Sequence, residues 1–420
     1  MKKFLALVLV LCMVLSLCAC GSSSSTTTAD TSADMSSSDA SASTGDSASA
    51  DTAASGDNVI RIGVFEPMTG DSGAGGKQEM LGAQYANYLT PTVTVGGVEY
   101  TIELVYADNA STADKAPTAA AELVSNDVCV VLGSYGSGVS IAGGPTFEDA
   151  GLAAIGLSCT NPQVTSGNDY YFRVCFLDPF QGTAQANFVT NELGFSKVYC
   201  LGELGNEYDT GLINYFTIAF EALGGEVVSD TFPTNTSDFS TYINKAVSNG
   251  CEAIFCPVSI AYATQIITMA GSMGLEMPIL GGDTLDSNMV IAATEGTDLE
   301  VYVSTFYQEG ADEEFDSGFK AWMNEDSSRL TNNGGNDTIA AVSVMGFDGY
   351  NTAIAAILAA DSVEPGDIKA ALGADGFSYT GVTGEIVFDE TGDAVRDTAY
   401  IKMVDIANQS WTLAAVQTVE

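Results

Sequence analysis

Histidine is absent from all 420 residues, and lysine and arginine together number 13 against 54 aspartates and glutamates. Without imidazole there is no His-activated nucleophile and little basis for a zinc site, so an enzyme would have only carboxylate or lysine chemistry left. The scarcity of positive charge excludes nucleic acid as a partner, because phosphate binding relies on lysine and arginine to release counterions. The acidic residues are spread along the chain, so the formal charge of −41 reads as a solubilising surface. The apolar run at residues 4–17 is too short to span a bilayer comfortably.

Nine cysteines are present, and none forms a close metal-type pair. Cys12, Cys18 and Cys20 lie at the N-terminus. The other six, Cys129, Cys159, Cys175, Cys200, Cys251 and Cys256, mostly sit in apolar strand-like runs, where cysteine behaves as a small hydrophobe. Free core thiols are therefore expected, and no metal or other cofactor is implied.

Length and a hydrophobic content of 46% allow two domains with cores of their own. Residues 1–20 open with Lys2 and Lys3, continue through the apolar run and end in Leu17-Cys18-Ala19-Cys20, which reads as a secretion signal. Small residues before a cysteine resemble the lipobox of bacterial lipoproteins, and that resemblance makes Cys20 the expected lipid anchor. Loss of Lys2 and Lys3 with the signal would take the charge from −41 to −43. Residues 21–57 are almost entirely Ser, Thr, Ala, Gly and Asp, too polar to fold, and are expected to tether the folded part to the membrane.

From residue 59 onward, short β-branched runs alternate with longer amphipathic segments: 59–65, 77–89, 101–106, 113–125, 128–132, 145–150 and 153–157. This is the βαβ pattern of a parallel sheet. After Asp178-Pro179 a helical stretch at 181–193 restarts it, with strands at 197–202, 226–232, 253–258 and 278–280. Further strand-like runs lie at 301–306, 384–388 and 400–406. The expectation is an α/β protein of two doubly wound parallel-sheet lobes.

Such sheets bind ligands at the carboxyl ends of their strands, so loops that follow strands are the informative ones. Gly133-Ser134-Tyr135-Gly136-Ser137-Gly138 offers backbone N–H groups and a hydroxyl suited to a carboxylate. Ser158-Cys159-Thr160-Asn161-Pro162 offers more of both on the same rim. In the second block, Asn206-Glu207-Tyr208-Asp209-Thr210-Gly211 carries a phenol, and Gly281-Gly282-Asp283-Thr284 carries a carboxylate. A zwitterion would fit between them. Taken singly, Ser137 and Thr160 could be helix caps, Tyr208 a surface aromatic and Asp283 a solvated loop acid.

Together, and in this order, the chain resembles the leucine/isoleucine/valine-binding protein family, type I periplasmic binding proteins that serve ABC transporters. The markers are IRIGVFEPMTG at 60–70, Leu81-Gly82-Ala83, Thr160-Asn161-Pro162, Tyr208-Asp209-Thr210-Gly211, Asp238-Phe239-Ser240 and GEIVFDETGD at 384–393. The resemblance implies lobe 1 from 58–178 plus 307–383 and lobe 2 from 179–306 plus 384–420. A three-strand hinge would cross near 177–179, 302–307 and 379–384. It also implies roles: Ser137 and Thr160 on the α-carboxylate, Ser158 and the Tyr135-Gly136 backbone beside them, Asp283 on the α-ammonium and Tyr208 closing from lobe 2. A monomer outside the cytoplasm, delivering an amino acid to permease subunits and catalysing nothing, is the implied activity.

Two departures affect the ligand's side chain. Gly75 stands where well-known members place an aromatic ring, so a hydrophobic wall is expected to be missing, and Tyr135 replaces a leucine. A phosphate-loop reading of the glycines before Lys77 fails, because Asp71 occupies the first glycine position and Gln78 follows the lysine. Other readings of the same fold are a sensor that presents its closed form to a signalling receptor, and a binder of amides, urea or aromatic acids, which would need Asp283 less.

Overall fold

The computed structural model describes residues 58–418; the signal, Cys20 and the tether, all expected within residues 1–57, lie outside the described residues. The first block contains β1 (Val59–Glu66), α1 (Gly73–Leu89), β2 (Thr92–Val95), β3 (Val98–Asp108), α2 (Ala116–Ser125), β4 (Val130–Leu132), α3 (Ser137–Asp149), β5 (Ala154–Gly156) and β6 (Tyr171–Arg173). The second contains α4 (Asp178–Asn187), β7 (Lys197–Glu203), α5 (Glu207–Ala222), β8 (Glu226–Phe232), α6 (Ser240–Ser248), β9 (Ala253–Phe255), α7 (Ile260–Ser272), β10 (Ile279–Gly281), α8 (Asn288–Ala293) and β11 (Val301–Thr305). The remainder contains α9 (Glu313–Asn324), α10 (Ser327–Asn332), α11 (Ala341–Ala360), α12 (Pro365–Leu372), β12 (Tyr379–Gly381), β13 (Gly384–Ile386), β14 (Thr398–Asp405) and β15 (Ser410–Thr418).

Two separate sheets form, ordered β2-β3-β1-β4-β5-β6 and β15-β14-β11-β10-β9-β7-β8. Their centres are parallel: β3, β1, β4, β5 and β6 in one, β8, β7, β9, β10 and β11 in the other. The edges are not, since β2 runs antiparallel to β3, β14 to β11 and β15 to β14. In both sheets the winding reverses at the first strand, between β1 and β4 and between β7 and β9. Loops leaving those four strands therefore gather at two facing crevices.

Helices α9, α11 and α12 return to the first sheet, where Phe319, Met345, Ile357 and Leu372 join Ile62, Leu132 and Ile155 in one core. Helix α11 crosses α1 so closely that a Cβ on Gly82 would stand 1.7 Å from the Ser343 carbonyl oxygen and one on Gly346 2.1 Å from that of Glu79. Glycine at both positions lets the backbones touch. The chain then pairs β12 with β13, bridges Arg173 to Asp393, and joins the second sheet through β14. All six cysteines of the folded part are buried and unpaired.

Local readings shifted in two places. The segment read as a helix from Pro145 is the second half of α3, which starts at Ser137 and carries Pro145 in its interior. A proline is commonest at a helix start, which is why the glycine-rich first turn was not recognised. Strand β15 had no counterpart, because its edge position leaves it half exposed and without the apolar alternation of a packed strand.

Candidate functional site

The two crevices face each other across a cavity of about 390 Å³. Every loop that lines it follows a strand: Pro67 and Asp71 after β1, Tyr135 to Gly138 after β4, Leu204 to Asn206 after β7, Ser259 after β9 and Thr284 after β10.

The loop after β4 is pressed down onto β1. Gly133 has φ +116° and a Cβ there would meet the Phe65 carbonyl oxygen at 2.3 Å, so only glycine is accommodated. The Tyr135 amide then donates to Glu66 Oε2 at 2.8 Å. Its side chain turns over α1, and the Tyr135 hydroxyl donates across the cleft to the Thr284 carbonyl at 3.2 Å. A Cβ on Gly75 would lie 2.2 Å from Tyr135 Cζ. The Tyr135 ring occupies the space that a side chain at 75 would need. Gly136 caps α3, and Ser137 Oγ accepts the Asn161 amide at 3.2 Å.

That last bond joins the β4 loop to the loop after β5, which is held from below. Arg173, fully buried, donates to the carbonyls of Cys159 and Asn161 and pairs with Asp393 at 2.7 Å. So fixed, the loop buries Ser158 beside Glu79 and Thr160 beside Asp178, where each hydroxyl works against the desolvation of the neighbouring carboxyl. Asn161 Nδ2 donates to the Glu207 carbonyl of the second lobe at 2.8 Å.

In the second lobe, Tyr208 lies in the first turn of α5, whose N-cap Asn206 accepts the amides of Tyr208 and Asp209. The Tyr208 hydroxyl donates to Asp283 Oδ1 at 2.9 Å, and Gln181 Nε2 reaches the same oxygen at 3.0 Å. Asp283 Oδ2 has no partner. Burial pushes this carboxyl up to about 6 against those two bonds. Asp286, one short turn further on, is paired with buried Lys402 at 2.9 Å and accepts the Thr305 hydroxyl.

Of the seven positions singled out in the sequence, Tyr135, Gly136, Ser137 and Tyr208 line the cavity, whereas Ser158, Thr160 and Asp283 lie outside its lining. Tyr208 links the two sets through Asp283. Three acidic groups were not foreseen. Glu79 is pushed up to about 8 by burial, Asp178 to about 7 by burial with Asp283 adding to it, and Glu66 is raised by burial and by Glu79 beside it. Each has at least one oxygen without a partner. A glutamate ending the apolar run of β1 was the available signal for Glu66.

The periplasmic binding protein family model matches residues 59–409. The chain belongs to that family. It is similar to Leu/Ile/Val-binding protein homolog 2 of Brucella abortus, at 27% identity over 80% of this chain and 87% of that protein. Homolog 3 of Brucella melitensis is 28% identical over 57% of this chain, and the match spans 65% of that protein's length, less than two thirds of it. The crystal structure of a leucine-binding protein, LivK, from Thermotoga maritima superposes with a TM-score of 0.76 at 29% identity, covering 86% of this chain and 99% of that one. The family and these neighbours are solute-binding proteins, and the two-lobe α/β fold is theirs.

Proposed function

We propose that the chain is the solute-binding component of an ABC importer, anchored outside the cytoplasm through lipid on Cys20, and that it closes over an amino acid. The supporting observation is a buried carboxylate with a free oxygen, Asp283 Oδ2, held in place by Tyr208 and Gln181. Ser137, Thr160 and the α3 N-terminus would take the α-carboxylate, with Ser158 beside them, and Asp283 the α-ammonium. Hydrogen bonds to charged groups contribute about 1.5–3 kcal/mol each, so three or four offset a closure cost and leave about −8 kcal/mol, or micromolar binding.

In this reading the lobes are 58–178 with 307–383 and 179–306 with 384–420. Asp393, on the lobe 2 side of that division, bridges to Arg173 of lobe 1 before β14 joins the second sheet. Cross-cleft bonds from Tyr135 to Thr284 and from Asn161 to Glu207 belong to the closed state, which permease subunits would distinguish from the open one. The ligand needs no chemistry, and a monomer suffices. An aromatic acid with no N–H to donate would leave Asp283 Oδ2 buried without a partner, which disfavours that alternative.

Calorimetry of the wild-type chain and Asp283→Ala against the common amino acids tests the proposal. Binding by the wild type and its loss in a folded Asp283→Ala variant are expected. Unchanged affinity in the variant sinks the assignment.

A further inference from the structure

The cavity extends beyond Ser137 and Tyr208, the head-group residues whose side chains line it. Its ionisable lining is Asp71, Glu203, Glu207 and Asp209 with two tyrosines, and among the described residues no lysine or arginine lines it. Acidic residues are common on this protein, so their sign alone decides nothing. A second observation does point to a ligand: Ser259 lines the same cavity, is 6% exposed, and its hydroxyl has no partner. Ser259 is the N-cap of α7, yet its side chain makes no capping bond and is left free for something else.

We propose that this part of the cleft seats a cationic group at the end of the ligand's side chain, so that the ligand is a basic amino acid. The inference rests on the amino-acid reading and adds the class of side chain to it. Ser259 Oγ accepts a hydrogen bond from the cation. Glu203, buried, and Asp71 and Glu207, exposed at the rim, supply the counter-charge. The Tyr135 ring lines the route, offering its face to the methylene stem and to the cation. An aliphatic side chain would leave the buried Ser259 hydroxyl dry without giving it a partner.

The N-terminus of α7 would by itself favour an anion. Two carboxylates already meet at a side chain of its first turn. The hydroxyl of Tyr262, in the first turn of α7, lies 3.2 Å from Glu203 Oε1 and 3.2 Å from Asp71 Oδ2, one carboxylate from each lobe. A second carboxylate on the ligand would have to enter between these two.

Calorimetry of the full chain with L-lysine, L-norleucine and L-glutamate tests this, since norleucine is lysine without its ammonium. Lysine is expected to bind at least about tenfold more tightly than norleucine, the effect of one charged hydrogen bond. Ser259→Ala, and Glu207→Gln at an exposed position, should lower that ratio chiefly by weakening lysine. Norleucine or glutamate binding as tightly as lysine overturns the inference and leaves the amino-acid reading standing. If none of the three binds, the inference falls, and the amino-acid reading is decided by the wider panel of common amino acids.

Discussion

The protein treats its buried carboxylates in two ways. Beneath the ligand-facing loops, Asp393 has Arg173 and Asp286 has Lys402, each ion pair almost wholly buried. Close to the cleft but behind its lining, Glu66, Glu79, Asp178 and Asp283 are as deeply buried, and each has an oxygen with no hydrogen-bond partner. Among the described residues, two basic side chains are buried in these ion pairs and none lines the cavity. The difference teaches what the site expects: positive charge that the protein withholds there is charge that a ligand can bring.

The contrast breaks most visibly if the scaffold pairs prove dispensable. Arg173→Met strands Asp393 in the interior, a change that costs about 3–5 kcal/mol when one partner of a buried pair is removed. It also frees the carbonyls of Cys159 and Asn161, so the midpoint in urea and ligand affinity should fall together. Lys402→Met should cost similar stability but less affinity, because Lys402 bonds a side chain and no loop carbonyl. Equal losses of affinity in the two variants would erase the distinction between a pair that shapes a loop and one that merely neutralises a charge.

The cleft carboxyls give the next largest effect. Their folded values, about 6 for Asp283, 7 for Asp178 and 8 for Glu79, lie above the ordinary carboxylate range because of burial. Between pH about 4 and 8 the folded chain therefore holds more protons than the unfolded one, and stability declines as pH rises through that window. The ligand-free protein should melt at a higher temperature at pH 5 than at pH 8, and Glu79→Gln should flatten the slope. Ligand affinity should run the other way, falling below pH about 6 as Asp283 takes up the proton that excludes an ammonium. A melting temperature that rises from pH 5 to pH 8 would mean that these groups are not dry in solution.

Much of this could be read along the chain. Strands and their glycine-rich exits are local signals, and seven candidate residues in four post-strand loops needed only the topology to bring them near one cleft. What could not be read depends on distance. Arg173 and Asp393 are 220 positions apart, and nothing near Arg173 marks it as the support of the Ser158 loop. Gly75 looked like a missing wall because Tyr135, whose ring fills its space, comes from another strand exit 60 positions later, and only the ring's direction shows the exchange. Strands β14 and β15 join the second sheet antiparallel, a matter of chain return that periodicity does not carry.

That exchange supplies the finest test. If Tyr135 has taken over from residue 75, Gly75→Ala should disturb the closed form, since its Cβ would lie 2.2 Å from the ring; overpacking of this kind costs about 1–3 kcal/mol. Adding Tyr135→Leu should return affinity towards the parent, which independent sites would not do. Tyr135→Phe keeps the wall and removes only the bond to the Thr284 carbonyl, worth about 1 kcal/mol, and so should speed ligand release with little change in selectivity among side chains. Were Tyr135→Phe to alter selectivity as much as Tyr135→Leu, the hydroxyl would be reading the ligand directly. The bond to Thr284 would then be only its resting place.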